Sequence, residues 1–290
     1  MLTIKDLNHV FTHVNWNELQ EQNIFISGGT GWFGRWMVET LLYANDNLDL
    51  KCKIMVLSNS AWMSTNKNVT IWHGDINNVE FPKGEFSHII HLVPEGTGRM
   101  LGFAKHCKAK KFLFTSSGAV YKLKPDEYAQ NKIYDEYWCR SVDSGLSVKI
   151  ARCFSFVGAY MPLNKNFAIG NFIGSAIKDK KVFIRNANNT PNRSYLYMAD
   201  LAIWLWTILF NGKSCVSYNV GGETEYTIKR VGELVAEIAK VPVIYWPYEK
   251  MESIDYVPYV EQAKEELGLR EWIPLNTAIE RTLEFYKNEH

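Results

Sequence analysis

A glycine-rich stretch directly after the first apolar run constrains this chain more than any other part of its sequence. Residues 28–34 read Gly-Gly-Thr-Gly-Trp-Phe-Gly and follow the apolar run Ile24–Ile26. Apolar residues at helical spacing come next, so the pattern predicts a strand, a tight turn and a helix. The three glycines at 28, 31 and 34 let the turn form, let a pyrophosphate approach and let the helix pack closely. The stretch predicts a dinucleotide-binding turn, with a strand-to-helix connector carrying incidental glycines as the alternative.

Strand patterns and helical patterns alternate after this turn. Further strands are predicted at Lys53–Ser58, Val69–Trp72, Ile89–Val93, Phe112–Ser117 and Val148–Ala151, and helices at 98–107 and 126–140. This alternation predicts an α/β fold, a Rossmann-type doubly wound parallel sheet. Ligands of such sheets bind at the carboxyl ends of the strands, and polar clusters lie at those ends in this sequence.

Beyond residue 158 the pattern becomes rich in loops, with short periodic segments between them. We expect a small C-terminal substrate-binding lobe there. The expected division is an NAD(P)-binding domain of residues 1–160, to which 194–222 return, and a substrate-binding lobe of 161–193 and 223–290. The apolar run Leu201–Phe210 has ten residues, about half of a bilayer span. It predicts a buried helix with Asp200 as its N-cap.

Charge and the N-terminal sequence narrow the class of partner. The net charge is +1 without a long run of one sign, so neither a nucleic acid nor a membrane is expected as a partner. The N-terminus lacks a signal pattern and predicts a short amphipathic helix instead. We therefore expect a cytoplasmic protein.

Cysteine and histidine spacing argue against a metal site or a disulfide framework. Five cysteines without a CxxC pair are typical of reduced thiols. His88 and His91 lie three apart in a predicted strand, which directs them to opposite faces of the sheet. No metal is expected.

Tyr128 and Lys132 are candidate catalytic residues because they lie four apart on a predicted helix, one turn from each other. An ammonium beside a phenol favours the phenolate, so we expect Lys132 to lower the pKa of Tyr128. Ser117 ends the preceding strand and can hydrogen-bond a reacting oxygen. The set suits hydroxyl–carbonyl interconversion. The alternative is a surface helix with an ordinary tyrosine and lysine.

The order of these motifs resembles the extended short-chain dehydrogenase/reductases, namely the NAD-dependent epimerase/dehydratase family that modifies nucleotide sugars. The resemblance runs from about residue 22 to the C-terminus. The motifs that carry it are the glycine stretch 28–34, 73–75 (His-Gly-Asp), 112–121 (Phe-Leu-Phe-Thr-Ser-Ser-Gly-Ala-Val-Tyr), Tyr128 with Lys132, 193–197 (Arg-Ser-Tyr-Leu-Tyr) and 218–222 (Tyr-Asn-Val-Gly-Gly).

The resemblance implies which residues bind the cofactor and which react. Ser117, Tyr128 and Lys132 would form the catalytic triad, while Asp75 and Ile76 would contact the adenine. The implied NAD(P)-binding residues are Gly28, Thr30, Gly31, Trp32, Phe33, Gly34, Ser58, Asn59, Asp75, Ile76, Leu92, Tyr128, Lys132 and Phe154.

The resemblance also implies a substrate-binding set of Ser117, Ser155, Asn171 and Arg193. Asn171 and Arg193 match positions that grip the pyrophosphate of a nucleotide sugar. For Arg193, an ordinary surface charge in a polar loop is an equal alternative. A homodimer is the family expectation for the assembly.

The sequence departs from the family pattern at four places. Gly118 and Ala119 stand where dehydratases carry an Asp-Glu pair, which disfavours 4,6-dehydration. Ser155 stands where epimerases often carry Asn, and the segments 93–96 and 121–128 are short. The residues after the second strand, 58–60, are Ser-Asn-Ser without the acidic residue that binds the ribose of NAD, which slightly favours NADP.

Two functions follow as hypotheses. The first is an NAD(P)-dependent oxidoreductase or epimerase that acts on a nucleotide-activated sugar, by keto-sugar reduction or by epimerisation through a keto intermediate. The second is a non-catalytic NAD(P)-binding sensor or scaffold protein of the same fold. An intact set of Ser117, Tyr128 and Lys132 favours the enzyme, because a pure binder needs no proton-transfer group.

Overall fold

The computed structural model describes residues 1–60, 66–142, 145–165, 167–185, 191–247 and 254–288. The helices are α1 (Ile4–His13), α2 (Trp32–Leu48), α3 (Thr97–His106), α4 (Glu127–Arg140), α5 (Ala168–Lys178), α6 (Met198–Asn211), α7 (Ile228–Ala239), α8 (Glu261–Leu267) and α9 (Leu275–Asn288). Short 3-10 helices span Asn17–Leu19 and Gly118–Tyr121.

The strands of the main sheet alternate with these helices. They are β1 (Asn23–Ser27), β2 (Lys53–Ser58), β3 (Val69–His73), β4 (His88–His91), β5 (Lys111–Ser117) and β6 (Ser147–Cys153). Shorter strands follow, namely β7 (Phe156–Val157), β8 (Val182–Arg185), β9 (Asn192–Arg193), β10 (Leu196–Tyr197), β11 (Ser217–Val220), β12 (Tyr226–Thr227) and β13 (Val243–Trp246).

The central sheet has seven parallel strands in the order β3-β2-β1-β4-β5-β6-β11. All four residues of β4 and four of the five residues of β1 are buried, as expected for strands covered on both faces. The predicted α/β class and doubly wound parallel sheet are confirmed. The strand order reverses between β1 and β4, the position where ligands of such sheets bind.

The chain divides into two compact units, each described by itself. The first comprises Met1–Cys153, Ala202–Val220 and Glu261–Leu269, and holds the seven-stranded sheet. The second comprises Phe154–Leu201, Gly221–Val260 and Arg270–His290. In the second unit α7 packs on α5 and α9, beside the parallel strand pair β8 and β13. The division of domains expected from the sequence stays a prediction.

The apolar run 201–210 is buried within α6, as its composition predicted. The prediction that Asp200 is its N-cap was wrong, because α6 begins two residues earlier, at Met198. The Asp200 carboxylate instead accepts the backbone N–H groups of Trp272 and Ile273, each at 2.9 Å. This acid therefore fixes the chain that leads into α9.

Other features predicted from the sequence have specific partners. The N-terminal helix forms as α1, with Thr3 as its N-cap. His88 bonds to Glu18 at 2.8 Å, whereas His91 bonds to Ser27 at 2.7 Å, so the two histidines have separate contacts. The five cysteines are free thiols. No helix in the described part of the chain is long and apolar enough to cross a bilayer.

Candidate active site

The glycine stretch forms a tight turn between β1 and α2. Gly28 has a φ of +77°, a left-handed conformation that favours glycine, and its carbonyl accepts the N–H of Gly31 at 3.0 Å. α2 begins at Trp32 with Gly31 as its N-cap. At Gly34 a Cβ would lie 2.1 Å from the Gly28 carbonyl oxygen, so only glycine allows the helix this close to the turn. The predicted strand, turn and helix are therefore present, and the first amides of α2 lie at the turn.

A cavity of about 360 Å³ lies against this turn, at the carboxyl ends of the strands where the sheet order reverses. Its lining contains eight of the residues implied to bind the cofactor: Gly28, Thr30, Gly31, Ser58, Asn59, Asp75, Ile76 and Leu92. The lining also includes Ser27, Leu57, Gly74, Val93, Pro94 and Glu95. The volume and place of the cavity fit part of a dinucleotide at a glycine turn.

The charged side chains that line this cavity are acidic. Asp75 and Glu95 contribute carboxylates, and the lining residues that the structure describes include no lysine, arginine or histidine. The Ser58 hydroxyl bonds to the Thr30 hydroxyl at 2.9 Å and to the Ser60 hydroxyl at 2.8 Å, which ties the end of β2 to the glycine turn. Polar hydroxyl groups thus occupy the position after β2 where NAD-binding sites usually carry an acidic residue.

Three implied cofactor residues near the turn lie outside this lining. Trp32 and Phe33 open α2, half-buried, with their ring centroids 4.9 Å apart. Gly34 is buried against the turn. Phe154, also implied to bind the cofactor, belongs to the second unit and packs on Tyr256 with a centroid distance of 4.7 Å.

The structure brings Ser117 and Tyr128 together. Ser117 ends β5, is buried, and its hydroxyl accepts the N–H of Ala119 at 3.1 Å. Tyr128 lies in the first turn of α4, which Asp126 caps, and it hydrogen-bonds to Ser117. The Tyr128 side chain is 48% exposed, so a reacting molecule has access to it. A hydroxyl and a phenol in contact at a strand end are the arrangement expected for acid–base chemistry.

Lys132 lies against β5. It is buried, its Nζ donates to the Thr115 carbonyl at 3.0 Å and lies 4.5 Å from the centroid of the Phe114 ring. The expectation that it lowers the pKa of Tyr128 was wrong. Partial burial of the phenol raises that pKa and outweighs the lowering by the hydrogen bond from Ser117. Burial likewise lowers the pKa of Lys132.

The implied substrate residues other than Ser117 lie in the second unit. Ser155 follows β6, and its carbonyl accepts the N–H of Leu196 at 3.0 Å. Asn171 is an exposed residue of α5. Arg193 is half-buried, and its Nη1 donates to the carbonyls of Asn192 at 2.9 Å and Ile254 at 2.6 Å. Arg193 is therefore more embedded than an ordinary surface charge.

Two buried polar residues near Ser117 were not predicted as part of the site. His91 lies between the hydroxyls of Ser27 and Thr97, at 2.7 and 3.1 Å, and burial lowers its pKa to about 3. Glu136 is 2% exposed and accepts the hydroxyl of Ser116 at 2.7 Å. A signal for Glu136 existed in its spacing, because it continues the four-residue repeat of Tyr128 and Lys132 along α4.

Comparisons with known proteins agree with this geometry. The model of the NAD dependent epimerase/dehydratase family matches residues 84–221, which carry Ser117, Tyr128 and Lys132. Over these residues the chain is similar to the NAD dependent epimerase/dehydratase family. The resemblance stated from the sequence motifs is confirmed.

The curated relatives of this chain are distant. UDP-glucuronic acid decarboxylase 1 of Danio rerio is 23% identical over 322 aligned positions, covering 94% of this chain and 74% of the relative. UDP-glucuronic acid decarboxylase 3 of Arabidopsis thaliana is 25% identical, covering 87% of each. Human dTDP-D-glucose 4,6-dehydratase is 22% identical, covering 92% and 90%. The first alignment is longer than the 290 residues of this chain, so that relative carries insertions.

Solved structures share the fold. The Bordetella bronchiseptica enzyme WbmF in complex with NADH has a TM-score of 0.80 at 19% identity, covering 95% of this chain and 94% of that one. The UDP-glucose 4-epimerase of Thermotoga maritima, solved with UDP-glucose, has a TM-score of 0.75 at 19% identity, covering 92% and 99%.

The third glycine of the turn gives a direct test of the cavity. Gly34→Ala places a Cβ within 2.1 Å of the Gly28 carbonyl oxygen, so the turn must shift. Overpacking of this kind costs about 1–3 kcal/mol, and we expect the Kd for NAD to rise ~10-fold or more. Calorimetric titration measures it. Gly102→Ala in α3 is the matched control, because no atom lies within 4 Å of its added Cβ. Equal affinities of the two variants would contradict the assignment.

Proposed function

We propose that this protein is an NAD-dependent enzyme that oxidises and re-reduces a ring carbinol of a nucleotide-activated sugar, or reduces the corresponding ketone. The observation that carries the proposal is the hydrogen bond between Ser117 and Tyr128 at a strand end of a sheet whose reversal point holds the glycine-turn cavity. The family match and the nucleotide-sugar enzymes among the relatives support it.

Each residue has a role that follows from its contacts. The chemistry that NAD supplies when bound is acceptance and return of a hydride. Tyr128 takes the proton of the sugar hydroxyl, or gives it to the ketone oxygen, at its phenol oxygen. Ser117 bonds that same substrate oxygen and orients it toward Tyr128. Lys132, whose Nζ donates to the Thr115 carbonyl, would hold the ribose of the bound cofactor.

The raised pKa of Tyr128 suits the reductive direction of this reaction. A phenol whose pKa lies above its usual value is protonated at neutral pH, which makes it a competent acid for ketone reduction. To act as a base the phenol must first lose its proton, which positive charge near it would favour.

Residues of the second unit complete the proposal. We assign Asn171 and Arg193 to the diphosphate of the nucleotide sugar, since an amide and a guanidinium offer donors to phosphate oxygens. Ser155 is assigned to a sugar hydroxyl.

The family resemblance leaves three reactions open, namely reduction, epimerisation and decarboxylation. Reduction or epimerisation is the first candidate. Oxidative decarboxylation of a nucleotide-linked uronic acid is the second, because the first relatives described above are UDP-glucuronic acid decarboxylases. A ketone formed at the ring carbon β to the carboxylate would labilise carbon dioxide. Dehydration is disfavoured because Gly118 and Ala119 supply neither an acid nor a base.

Tyr128→Phe tests the catalytic assignment. Removing the phenol hydroxyl removes the proton carrier, so we expect kcat to fall by about 10²–10⁴ with NAD affinity unchanged. The assay incubates the enzyme with NAD and UDP-glucose or UDP-glucuronic acid and identifies products by mass spectrometry, where loss of carbon dioxide marks decarboxylation.

Tyr137→Phe, on the same helix and 69% exposed, is the matched control and should keep its rate within about twofold. Full activity of Tyr128→Phe would overturn the assignment. Lack of turnover by the unaltered chain, despite NAD binding, would favour the sensor or scaffold hypothesis.

We further propose NAD rather than NADP as the cofactor, against the slight preference for NADP that the sequence suggested. A 2′-phosphate in this cavity would share it with the carboxylates of Asp75 and Glu95, and the described lining residues offer no cation to bind it. The hydroxyls of Thr30 and Ser58 suit a neutral ribose diol instead. NAD-bound neighbours support the choice.

Asn59 lines the cavity and is exposed, so charged side chains at this position can test the choice between NAD and NADP. Asn59→Arg adds a donor for a 2′-phosphate, and a charge-assisted bond of about 1.5–3 kcal/mol should raise NADP affinity ~10-fold or more. Asn59→Asp, the matched variant, should weaken NADP binding further. Fluorescence titration of both reduced cofactors measures the ratio. Tighter binding of NADP than NAD by the unaltered chain would contradict the choice.

We propose a homodimer, as the family resemblance implies. Support comes from α4, where Ile133, Tyr134, Tyr137 and Trp138 are 41%, 64%, 69% and 59% exposed. These four residues share one side of the helix, and exposed apolar patches of this kind mark protein contacts. The cytoplasmic location stays a prediction from the sequence alone.

Light scattering after size exclusion tests the assembly. The expected mass is twice the chain mass of 33.5 kDa. The double variant Tyr134→Lys with Trp138→Lys should be a monomer, whereas Ile4→Lys, at a 67% exposed position of α1, should leave the dimer intact. A monomeric unaltered chain would contradict the proposal.

A further inference from the structure

Three successive residues of β5 are each bound by a residue of α4. The Thr115 carbonyl accepts Nζ of Lys132 at 3.0 Å, the Ser116 hydroxyl donates to Oε1 of Glu136 at 2.7 Å, and Ser117 bonds to Tyr128. The three α4 residues recur every four positions, so they form one ridge of the helix. The ridge fixes how α4 lies along the carboxyl end of β5.

Glu136 is the charged centre of this contact. It is buried, and Arg152 of β6 grips it with two bonds, Nε to Oε1 at 2.8 Å and Nη2 to Oε2 at 2.7 Å. Arg140 adds a bond to Oε2 at 2.8 Å. Burial acts to raise the pKa of Glu136, but the hydrogen bonds from Arg152 and Ser116 outweigh it, so the pKa lies below its usual value. The side chain is therefore an ionised acceptor at neutral pH.

The same network reaches the next strand. Nη1 of Arg152 donates to the Tyr121 hydroxyl at 2.5 Å, and that hydroxyl donates to Asn219 of β11 at 3.0 Å. Glu136 thus joins α4 to β5 directly, to β6 through Arg152, and to β11 through Tyr121. Bidentate carboxylate–guanidinium pairs add geometric precision as well as energy.

We propose that Glu136 is the positioning residue for Tyr128. It fixes α4 against Ser116, the neighbour of Ser117, and thereby keeps the Tyr128 phenol in contact with the Ser117 hydroxyl. Glu136 and Tyr128 lie eight residues apart on one helix, about 12 Å along its axis. A helix transmits a tilt over that distance, and a displacement of about 1 Å at a reacting group lowers rates ~10²-fold. The rate part of this inference rests on the proposed function.

Two variants remove the contact from opposite sides. Ser116→Ala deletes only the bond to β5 and leaves the pairs of Glu136 with Arg152 and Arg140. Glu136→Gln keeps the side-chain volume and removes the charge. We expect kcat to fall about tenfold or more in each, with KM and the Kd for NAD within about twofold, because the cofactor cavity is untouched. The double variant should lose no more than the worse single one, since both break one contact.

Glu18→Gln is the matched control. Glu18 also joins strands, through a hydrogen bond with His88 at 2.8 Å and an ion pair with Lys111 at 2.7 Å, but at the amino ends of β4 and β5. It should lower the unfolding midpoint in urea without a change in kcat. If Ser116→Ala and Glu136→Gln behave like Glu18→Gln, losing stability but keeping kcat, Glu136 is structural and the proposal is wrong.

A second readout does not need turnover. With tyrosine labelled by ¹³C at Cζ, the Tyr128 resonance is assigned by its loss in Tyr128→Phe. It should shift in Ser116→Ala and Glu136→Gln, because the bond to Ser117 changes, and stay in place in Glu18→Gln. An unshifted resonance in both variants overturns the positioning role. A shifted resonance in a chain that turns over no nucleotide sugar supports positioning and removes the proposed function instead.

Discussion

The contact between the glycine turn and the first turn of α2 is the constraint on which the site depends. Gly28 adopts a left-handed conformation and Gly34 has no room for a Cβ beside the Gly28 carbonyl. This close approach places the first amides of α2 at the turn that follows β1. Because β1 lies where the strand order reverses, the turn opens onto the cavity that the end of β2 and the loops after β3 and β4 also line. The fold thus forms an opening that fits part of a dinucleotide.

The proposed proton-transfer residues lie on the other side of the point where the strand order reverses. β5 ends in Thr115, Ser116 and Ser117, and α4 places Lys132, Glu136 and Tyr128 on those three residues in turn. The proton carrier is therefore set by a helix-to-strand contact, and its precision depends on a buried ion pair between α4 and β6. We infer that different contacts hold the cofactor cavity and the proton-transfer pair in place. Variants can therefore change turnover without changing cofactor binding.

Local spacing predicted much of this arrangement. The glycine positions, the alternation of strands and helices, and the four-residue repeat from Tyr128 to Lys132 are short-range patterns, and the structure has each of them. Burial determined two properties of the site that residue spacing did not predict. Lys132 is directed to the Thr115 carbonyl, and partial burial of Tyr128 raises its pKa where adjacency alone predicted a decrease.

Long-range partners account for the remaining differences. Asp200 accepts amides 72 and 73 residues away, so no local rule separates it from an N-cap. The role proposed for Glu136 depends on its contacts with Ser116 of β5 and Arg152 of β6, which spacing along α4 does not predict. The acidic lining of the cavity combines Asp75 and Glu95, which come from the loops after β3 and β4.

The most direct measurement follows a hydride from the sugar to the cofactor. The enzyme with oxidised NAD is given one equivalent of UDP-glucuronic acid or UDP-glucose carrying deuterium on the ring carbon that is oxidised, and quenched during the first turnover. Mass spectrometry of the bound nicotinamide should find the deuterium there, with a keto or product sugar beside it. Products that form while the label stays on the sugar, or a nicotinamide that never gains it with either substrate, would contradict the account.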